Sequence, residues 1–195
     1  IFTEPMAHNY HPLTMLSLAV NYHFSELNPF GYHLTNLLLH LVNVFWVFWL
    51  VFWLSGKRIE MSVIVSLLFG IHPMHVESVA WIAERKDVLY AFFFLPALIA
   101  YIRYIKTRKW SFFAVGLMLF TLSLFSKPAA IVLPVLLFLF DFWFKRPLKP
   151  KIIAEKIPFF ILALLFSYLT FNAQSATGAV VSLNAYTPFT FLLYT

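Results

Sequence analysis

The sequence contains no cysteine, so disulfide bonds, thiol chemistry and cysteine-based metal sites are excluded. Charged residues are also scarce: they make up 11% of the 195 residues, whereas a soluble domain carries about a quarter. The chain has neither a glycine-rich nucleotide-binding loop nor a Gly-x-Ser-x-Gly motif, so no motif supports cytoplasmic ATP-driven chemistry. The scarcity of charge in particular argues against a soluble domain.

Apolar residues are abundant instead, at 62% of the chain, and 20% of all residues are aromatic. No soluble core of this length could hide so many Phe, Leu and Trp side chains, so lipid must solvate most of them. The net charge of +6 comes from short basic clusters between apolar runs. This pattern is typical of membrane topology and not of a surface that binds nucleic acid.

Six apolar segments are predicted to be membrane-embedded helices. Residues 34–54 and 88–105 match the length of about 20 residues that a span needs. The other four are shorter: 61–71, 110–125, 129–144 and 157–171. The weakest, 61–71, could be a half-span that unwinds into a polar loop.

We therefore predict an all-α, polytopic transmembrane bundle. Residues 1–33 form an outer loop that includes a short interfacial helix at 13–22, opened by Pro12. Residues 34–171 hold the membrane segments, and 172–195 form an outer loop and the start of a further helix. Because the chain neither begins with Met nor stops outside an apolar run, we expect it to be a fragment of a longer protein.

Basic residues predict the orientation of this bundle. Eleven of the 14 Lys and Arg residues lie in three loops on one side, at 55–60, 103–109 and 145–156. The positive-inside rule makes that side cytoplasmic. The other three basic residues and six of the seven histidines then fall on the outer side. The outer face is predicted to carry the chemistry, and the cytoplasmic face to serve as plain anchoring.

The first candidate cluster consists of His72, His75 and Glu77. Two imidazoles and a carboxylate could bind a divalent metal ion, or the carboxylate could be a general base for an acceptor hydroxyl. Slightly downstream, Arg85 and Lys86 could hold a phosphate through charge-assisted hydrogen bonds. The plainer alternative is that these charges are solvated among headgroups.

Polar residues elsewhere offer further candidates. His33, Asn36, His40 and Asn43 share one helical face, which should point to the bundle interior or a wet cavity, or should simply bind helices together through hydrogen bonds. Lys127, in a tight outer turn, is a candidate for an anionic headgroup or a snorkelling interfacial lysine.

Two acids, Asp87 and Asp141, have simpler structural interpretations. Asp87 could cap the N terminus of the next span. Asp141 is predicted to pair with Lys145, four residues later on the same helix.

Four motifs resemble the TMTC-type protein O-mannosyltransferases, and in particular bacterial membrane proteins of that type that carry C-terminal tetratricopeptide repeats. The motifs are NYHPLT (9–14), LNPFGYHLTNLLLH (27–40), IHPMHVESVAWIAERKD (71–87) and SKP (126–128). They occur in order and with matching spacing. The long segment that ends in Glu-Arg-Lys-Asp is specific, whereas the Asn-Pro-Phe-Gly turn alone is not.

The resemblance implies a GT-C glycosyltransferase in the bacterial inner membrane, with its active face periplasmic. Such an enzyme moves a mannose-like hexose from a polyprenyl-phosphate carrier to a protein hydroxyl or another acceptor. It needs no certain cofactor, although a divalent cation is possible. The resemblance also implies that the family's acidic motif precedes Ile1 and that repeats follow Thr195. The fragment alone would then be inactive.

The resemblance also suggests roles for individual residues. Lys86, Lys127 and Arg85 would stabilise the lipid-phosphate leaving group, and Glu77 would be a secondary acid. The substrate cavity would contain five further residues: His11, His33, His72, His75 and Asp87. At His11, animal members tend to have Arg, which weakens a phosphate role for that position.

Two rival functions remain open at this point. A transporter of a polar or lipid-linked solute would suit the polar stripe and a broken helix, although the cytoplasmic halves of the spans hold few polar groups. A non-enzymatic membrane anchor for a repeat domain is the other rival. An inverted repeat in the complete protein would favour the transporter.

Overall fold

A computed structural model describes residues 11–147 and 149–176, and the regular structure in these ranges is entirely helical. The predicted all-α class is confirmed. Nine α-helices follow one another in the described part of the chain: α1 (Pro12–Ser25), α2 (Pro29–Leu54), α3 (Ile59–Ile71), α4 (Val76–Ala80), α5 (Arg85–Thr107), α6 (Trp110–Ser126), α7 (Leu133–Trp143), α8 (Pro150–Ala154) and α9 (Ile157–Ala176). Short 3-10 turns lie at Pro73–His75, Ile82–Glu84 and Pro128–Val132.

All six predicted membrane segments are helical, and they differ in length. Among the described residues, three stretches are long and apolar enough to cross a membrane: Pro29–Leu54, Ile82–Thr107 and Pro150–Ala173. A fourth is the bent pair Ile59–Ile71 and Pro73–Ala80, which changes direction by 51°. The bend agrees with a half-span that ends at His72. Two shorter apolar helices, Trp110–Ser126 and Pro128–Trp143, complete the set.

The N-terminal helix α1 covers the predicted 13–22 and continues to Ser25, and polar contacts attach it to the bundle. Thr14 is buried and donates its hydroxyl hydrogen to the Ser126 carbonyl at 2.9 Å. The next helix starts where Asn28 accepts a hydrogen bond from the Phe30 amide at 3.0 Å, with Pro29 at the first helical position. Gly31 allows the two helices to meet, since a Cβ there would overlap the Ser25 side chain.

Helix α5 lies at the centre of the bundle and contributes the largest share of buried residues. Its apolar side packs against α6, α7 and α9 in a core that includes Leu98, Phe120, Leu137 and Phe159. Many large apolar side chains of α2 and α3 are exposed on the outside of the bundle. Such a surface is expected where lipid rather than water is the solvent.

Candidate functional site

The bundle has two ends that differ in their polar residues. One end of the bundle contains the start of α5 and the end of α6, and we call it the Lys127 end. The opposite end contains the end of α5 and the start of α6, and we call it the Lys156 end. The sequence predicts the Lys127 end to be the outer one. Most of the candidate residues from the sequence lie there.

A cleft of about 400 Å³ opens at the Lys127 end. We call it the Lys127 cleft. Its walls come from the start of α1, the turn before α5, the end of α6 and the end of α9. The polar side chains that line it are His11, Glu84, Lys86, Ser126, Lys127 and Thr170.

Both lysines of the cleft form ion pairs that stay open to solvent. Lys86 Nζ lies 2.9 Å from Glu84 Oε1, with side chains 28% and 21% exposed. Lys127 Nζ pairs with Asp87 Oδ1, with side chains 29% and 25% exposed. Partly solvated pairs are worth little free energy, so an anionic ligand can replace a carboxylate as the partner at small cost.

Asp87 owes its position to the first turn of α5. The helix is preceded by Glu84, whose side chain makes no capping hydrogen bond, and Asp87 lies inside the first turn rather than at the cap. The prediction that Asp87 caps this helix is therefore wrong. A negative charge in the first turn is nevertheless favoured by the helix dipole. The Asp87 carboxylate instead forms an ion pair with Lys127.

A second, smaller cavity of about 190 Å³ is lined in part by Asp87. We call it the His75 cavity; its lining includes His40, Asn43, Phe69, His75, Ser78 and Asp87. The Ser78 hydroxyl donates to Asp87 Oδ2 at 3.4 Å, while Oδ1 accepts from Lys127. The Asp87 carboxylate thus lines the His75 cavity and is linked to the Lys127 cleft through its ion-pair partner Lys127.

His11 adds a neutral polar group to the Lys127 cleft. Burial, and to a lesser extent the charge of Lys86, lower the pKa of His11 below its ordinary value of 6.5. The imidazole is therefore uncharged near neutral pH. It can offer a hydrogen bond to a ligand but does not add to the positive charge of the two lysines.

Arg85 is placed differently from its predicted partners in phosphate binding. Its side chain is fully buried. The guanidinium donates to Asn36 Oδ1 at 2.8 Å, to the Tyr32 carbonyl at 2.9 Å and to Asn21 Oδ1. Arg85 thus connects α1, α2 and α5 and does not line the Lys127 cleft.

The remaining predicted site residues lie outside both cavities. Glu77, His33 and His72 are exposed, and His72 Nδ1 accepts the Met74 amide at 3.2 Å. Within residues 11–147 and 149–176, no group of three or more His, Asp or Glu side chains is arranged to hold a metal ion.

The polar stripe of α2 faces the bundle, as its spacing predicts. Asn36, His40 and Asn43 are buried. Asn36 donates to the Trp81 carbonyl at 3.1 Å, His40 Nε2 lies 3.0 Å from the Gly70 carbonyl, and Asn43 donates to the Val88 carbonyl at 2.9 Å. These bonds connect α2 to its neighbours. The exposed His33 does not take part.

The Lys156 end contains a buried ionic network that the sequence did not reveal. Asp141 is fully buried and accepts hydrogen bonds from Tyr101 Oη at 3.1 Å, from Arg146 at 2.8 Å and from Lys156. Arg146 also donates to Glu155 Oε2 at 2.9 Å. The predicted Asp141–Lys145 pair is wrong, because the chain turns after α7 and brings Arg146 rather than the exposed Lys145 to the carboxylate.

This network gives the Lys156 end a buried structural role in addition to the predicted anchoring. A signal was present in the sequence: two acids and two bases at 141, 146, 155 and 156 flank an otherwise apolar pair of helices. Their pairing depends on the fold of the intervening loop, which helical spacing cannot give. Tyr101 lies 40 residues from Asp141 in the sequence, so no local sequence pattern predicts the hydrogen bond between them.

Comparison with known proteins gives relatives but no family model or solved structure that matches. Human protein O-mannosyl-transferase TMTC3 is 41% identical over 103 residues, which is 52% of this chain and 11% of that protein. Tmtc1 of Drosophila melanogaster is 34% identical over 126 residues, 63% of this chain and 14% of that protein. Human TMTC2 is 39% identical over 105 residues, 53% of this chain and 12% of that protein. The chain therefore spans a small part of the relatives it matches. The resemblance of its motifs to the TMTC protein O-mannosyl-transferases is confirmed over about half of the chain.

Proposed function

We propose that this chain is part of a membrane glycosyltransferase that moves a mannose-like hexose from a polyprenyl-phosphate carrier to a protein hydroxyl. The relatives are named protein O-mannosyl-transferases, which supports a hexose and a protein acceptor. The observation that carries the proposal is the Lys127 cleft, where two solvent-accessible lysines of α5 and the α6 end meet.

The proposed step exchanges one bond to the sugar for another. The acceptor oxygen attacks C1 of the hexose, the bond from C1 to the phosphate oxygen breaks, and the electron pair leaves with the lipid phosphate. The hydroxyl proton passes to a carboxylate base. Lys86 and Lys127 stabilise the charge that develops on the phosphate, and they exchange Glu84 and Asp87 for phosphate oxygens as they do so.

The cleft has the size and the neighbourhood for this reaction. Its volume of about 400 Å³ falls within the range usual for ligand sites. Asp87, the ion-pair partner of Lys127, lines the His75 cavity, which contains further hydrogen-bonding groups for a hexose or an acceptor. Glu77, exposed at the start of α4, keeps its proposed role as a secondary acid that acts from outside the cleft.

The distribution of basic residues supports a periplasmic active face. Three basic residues fall on the Lys127 side and 11 on the Lys156 side, which favours a cytoplasmic Lys156 end. Location in the bacterial inner membrane is inferred from the resemblance of the sequence motifs to bacterial members of the family. A cysteine introduced at the exposed His33 should then react with a membrane-impermeant maleimide from the periplasmic side only.

A transfer assay tests the proposed function. The full-length protein that contains this chain, in nanodiscs, is given polyprenyl-phosphate hexose or a nucleotide hexose together with a protein acceptor, and mass spectrometry measures hexose addition. We expect transfer from the lipid donor alone, with the rate reduced on the order of 10²-fold in Lys86→Gln or Lys127→Gln. The matched control, Lys57→Gln in the loop after α2, should transfer at the wild-type rate. Absence of transfer from every lipid donor would contradict the proposal.

A further inference from the structure

A second basic cleft lies at the Lys156 end, on the side of the bundle opposite to the proposed transfer site. Its volume is about 480 Å³. We call it the Arg108 cleft. The residues that matter for its chemistry are Tyr104, Arg108, Trp110, Lys149, Lys151 and Glu155.

The positive charges of the Arg108 cleft are balanced by few nearby carboxylates. Lys149 and Lys151 are exposed, and neither forms an ion pair with a carboxylate of the described residues. The Arg108 side chain is 59% exposed and reaches Glu155 only at 3.9 Å. Three cations therefore converge on one space with almost no acid available to them.

Glu155 does not cancel this charge, because it belongs to the buried network. Its Oε2 accepts from Arg146 at 2.9 Å, and the side chain is 4% exposed. Arg146 and Lys156 together balance Glu155 and Asp141, so the network is electrically neutral by formal charge. The network acts as a rigid wall, and the excess of positive charge remains on the three cations.

Aromatic residues fix the depth at which this cleft meets the membrane. Trp110 is 61% exposed at the first position of α6, and its ring lies 5.6 Å from the buried ring of Tyr104. Tryptophan at the end of an apolar helix is typical of the interface between headgroups and hydrocarbon. The cations of the Arg108 cleft therefore lie at the level of lipid phosphates.

We propose that the Arg108 cleft binds the phosphate of an anionic glycerophospholipid from the surrounding bilayer. Basic pockets between membrane helices on the cytoplasmic side recognise such headgroups, and each nearby Lys or Arg strengthens the attraction. A zwitterionic choline headgroup would bring its ammonium group against the same cations, so the cleft discriminates in favour of net negative lipids. The site is independent of hexose transfer.

Native mass spectrometry on the detergent-purified protein tests this proposal. The probes are phosphatidylglycerol, phosphatidylcholine and water-soluble glycerol 3-phosphate. We expect the wild type to retain one phosphatidylglycerol preferentially. The double variant Lys149→Gln/Lys151→Gln should bind it about 30-fold more weakly, on the basis of about 1 kcal/mol for each cation.

The matched control is Lys57→Gln/Arg58→Gln, which removes the same charge from another loop of the same face. It should change phosphatidylglycerol binding less than about twofold. Equal weakening in both double variants would overturn the proposal in favour of general charge attraction. Equally tight binding of glycerol 3-phosphate, or of phosphatidylcholine, would overturn the assignment to an anionic lipid. Loss of binding in the first variant alone, with wild-type hexose transfer intact, supports it.

Discussion

The two ends of the bundle contain the same kind of ion pair in opposite environments. At the Lys127 end, Lys127 and Asp87 are 29% and 25% exposed. At the Lys156 end, Lys156 and Asp141 are 1% and 0% exposed. The first pair borders a cleft and has room for another ligand, whereas the second shares its carboxylate with Tyr101 and Arg146.

The difference shows that burial, rather than residue type, separates a charge that can bind a ligand from a charge that holds helices together. A buried ion pair has already lost its water, so removing one partner leaves an uncompensated charge and is costly. A partly exposed pair can exchange its partner for water or a ligand with little change in free energy. We therefore propose that the Lys127 end serves function and that the network at the Lys156 end serves stability.

The largest expected effect comes from breaking the buried network. Among the described residues, Lys156→Met leaves Arg146 as the one buried cation that pairs with Asp141 and Glu155, and should lower the free energy of unfolding by about 3–5 kcal/mol. Thermal unfolding in detergent measures the loss. The control Lys145→Met, which changes an exposed lysine of the same turn, should alter stability by less than about 0.5 kcal/mol. Equal destabilisation by the two changes would argue against a special role for the network.

Arg85 and Lys86 allow the comparison to be made within a single helical turn. Arg85→Met leaves four acceptors on α1 and α2 without their donor, one of them on the buried Asn36, and should cost about 2–4 kcal/mol, with faster proteolysis between α1 and α2. Lys86→Met removes a 28%-exposed partner of Glu84 and should cost less than about 1 kcal/mol. A stability loss at Lys86 as large as that at Arg85 would contradict the distinction between buried and exposed cations.

The smallest expected effect is the pH response of His11. Burial, and then Lys86, lower the pKa of His11 in the folded protein, so the unfolded chain binds a proton more readily. Stability is then full above the ordinary pKa of 6.5 and falls as the pH drops below it. Unfolding temperatures measured on both sides of that pH should show a slope that His11→Gln reduces. An unchanged slope in the variant would exclude His11 as its source.

Helix positions could be read from the sequence because apolar run length and proline placement are local properties. All six apolar segments are helical, and the break after 61–71 was visible in its short length and in His72-Pro73. The buried face of α2 could also be predicted, because Asn36, His40 and Asn43 recur at helical spacing. Local periodicity thus fixed both the elements and one of their faces.

Pairing between distant residues could not be predicted in the same way. Arg85 and Lys86 are neighbours in sequence and both basic, yet one is enclosed by α1 and α2 while the other lines the cleft. Asp141 has Lys145 at helical distance but is bound by Arg146 and Lys156 after the chain turns. Such assignments depend on loop geometry and packing, which single-sequence patterns do not encode.

The contrast between Lys127→Gln and Lys156→Gln tests the central claim most directly. Each variant is purified in nanodiscs, and hexose transfer per folded molecule is measured beside the unfolding temperature. We predict that Lys127→Gln loses transfer on the order of 10²-fold at nearly wild-type stability, while Lys156→Gln is destabilised but transfers normally once the folded fraction is taken into account. Normal transfer by folded Lys127→Gln, or a specific loss of transfer in folded Lys156→Gln, would contradict the assignment of function to one end and stability to the other.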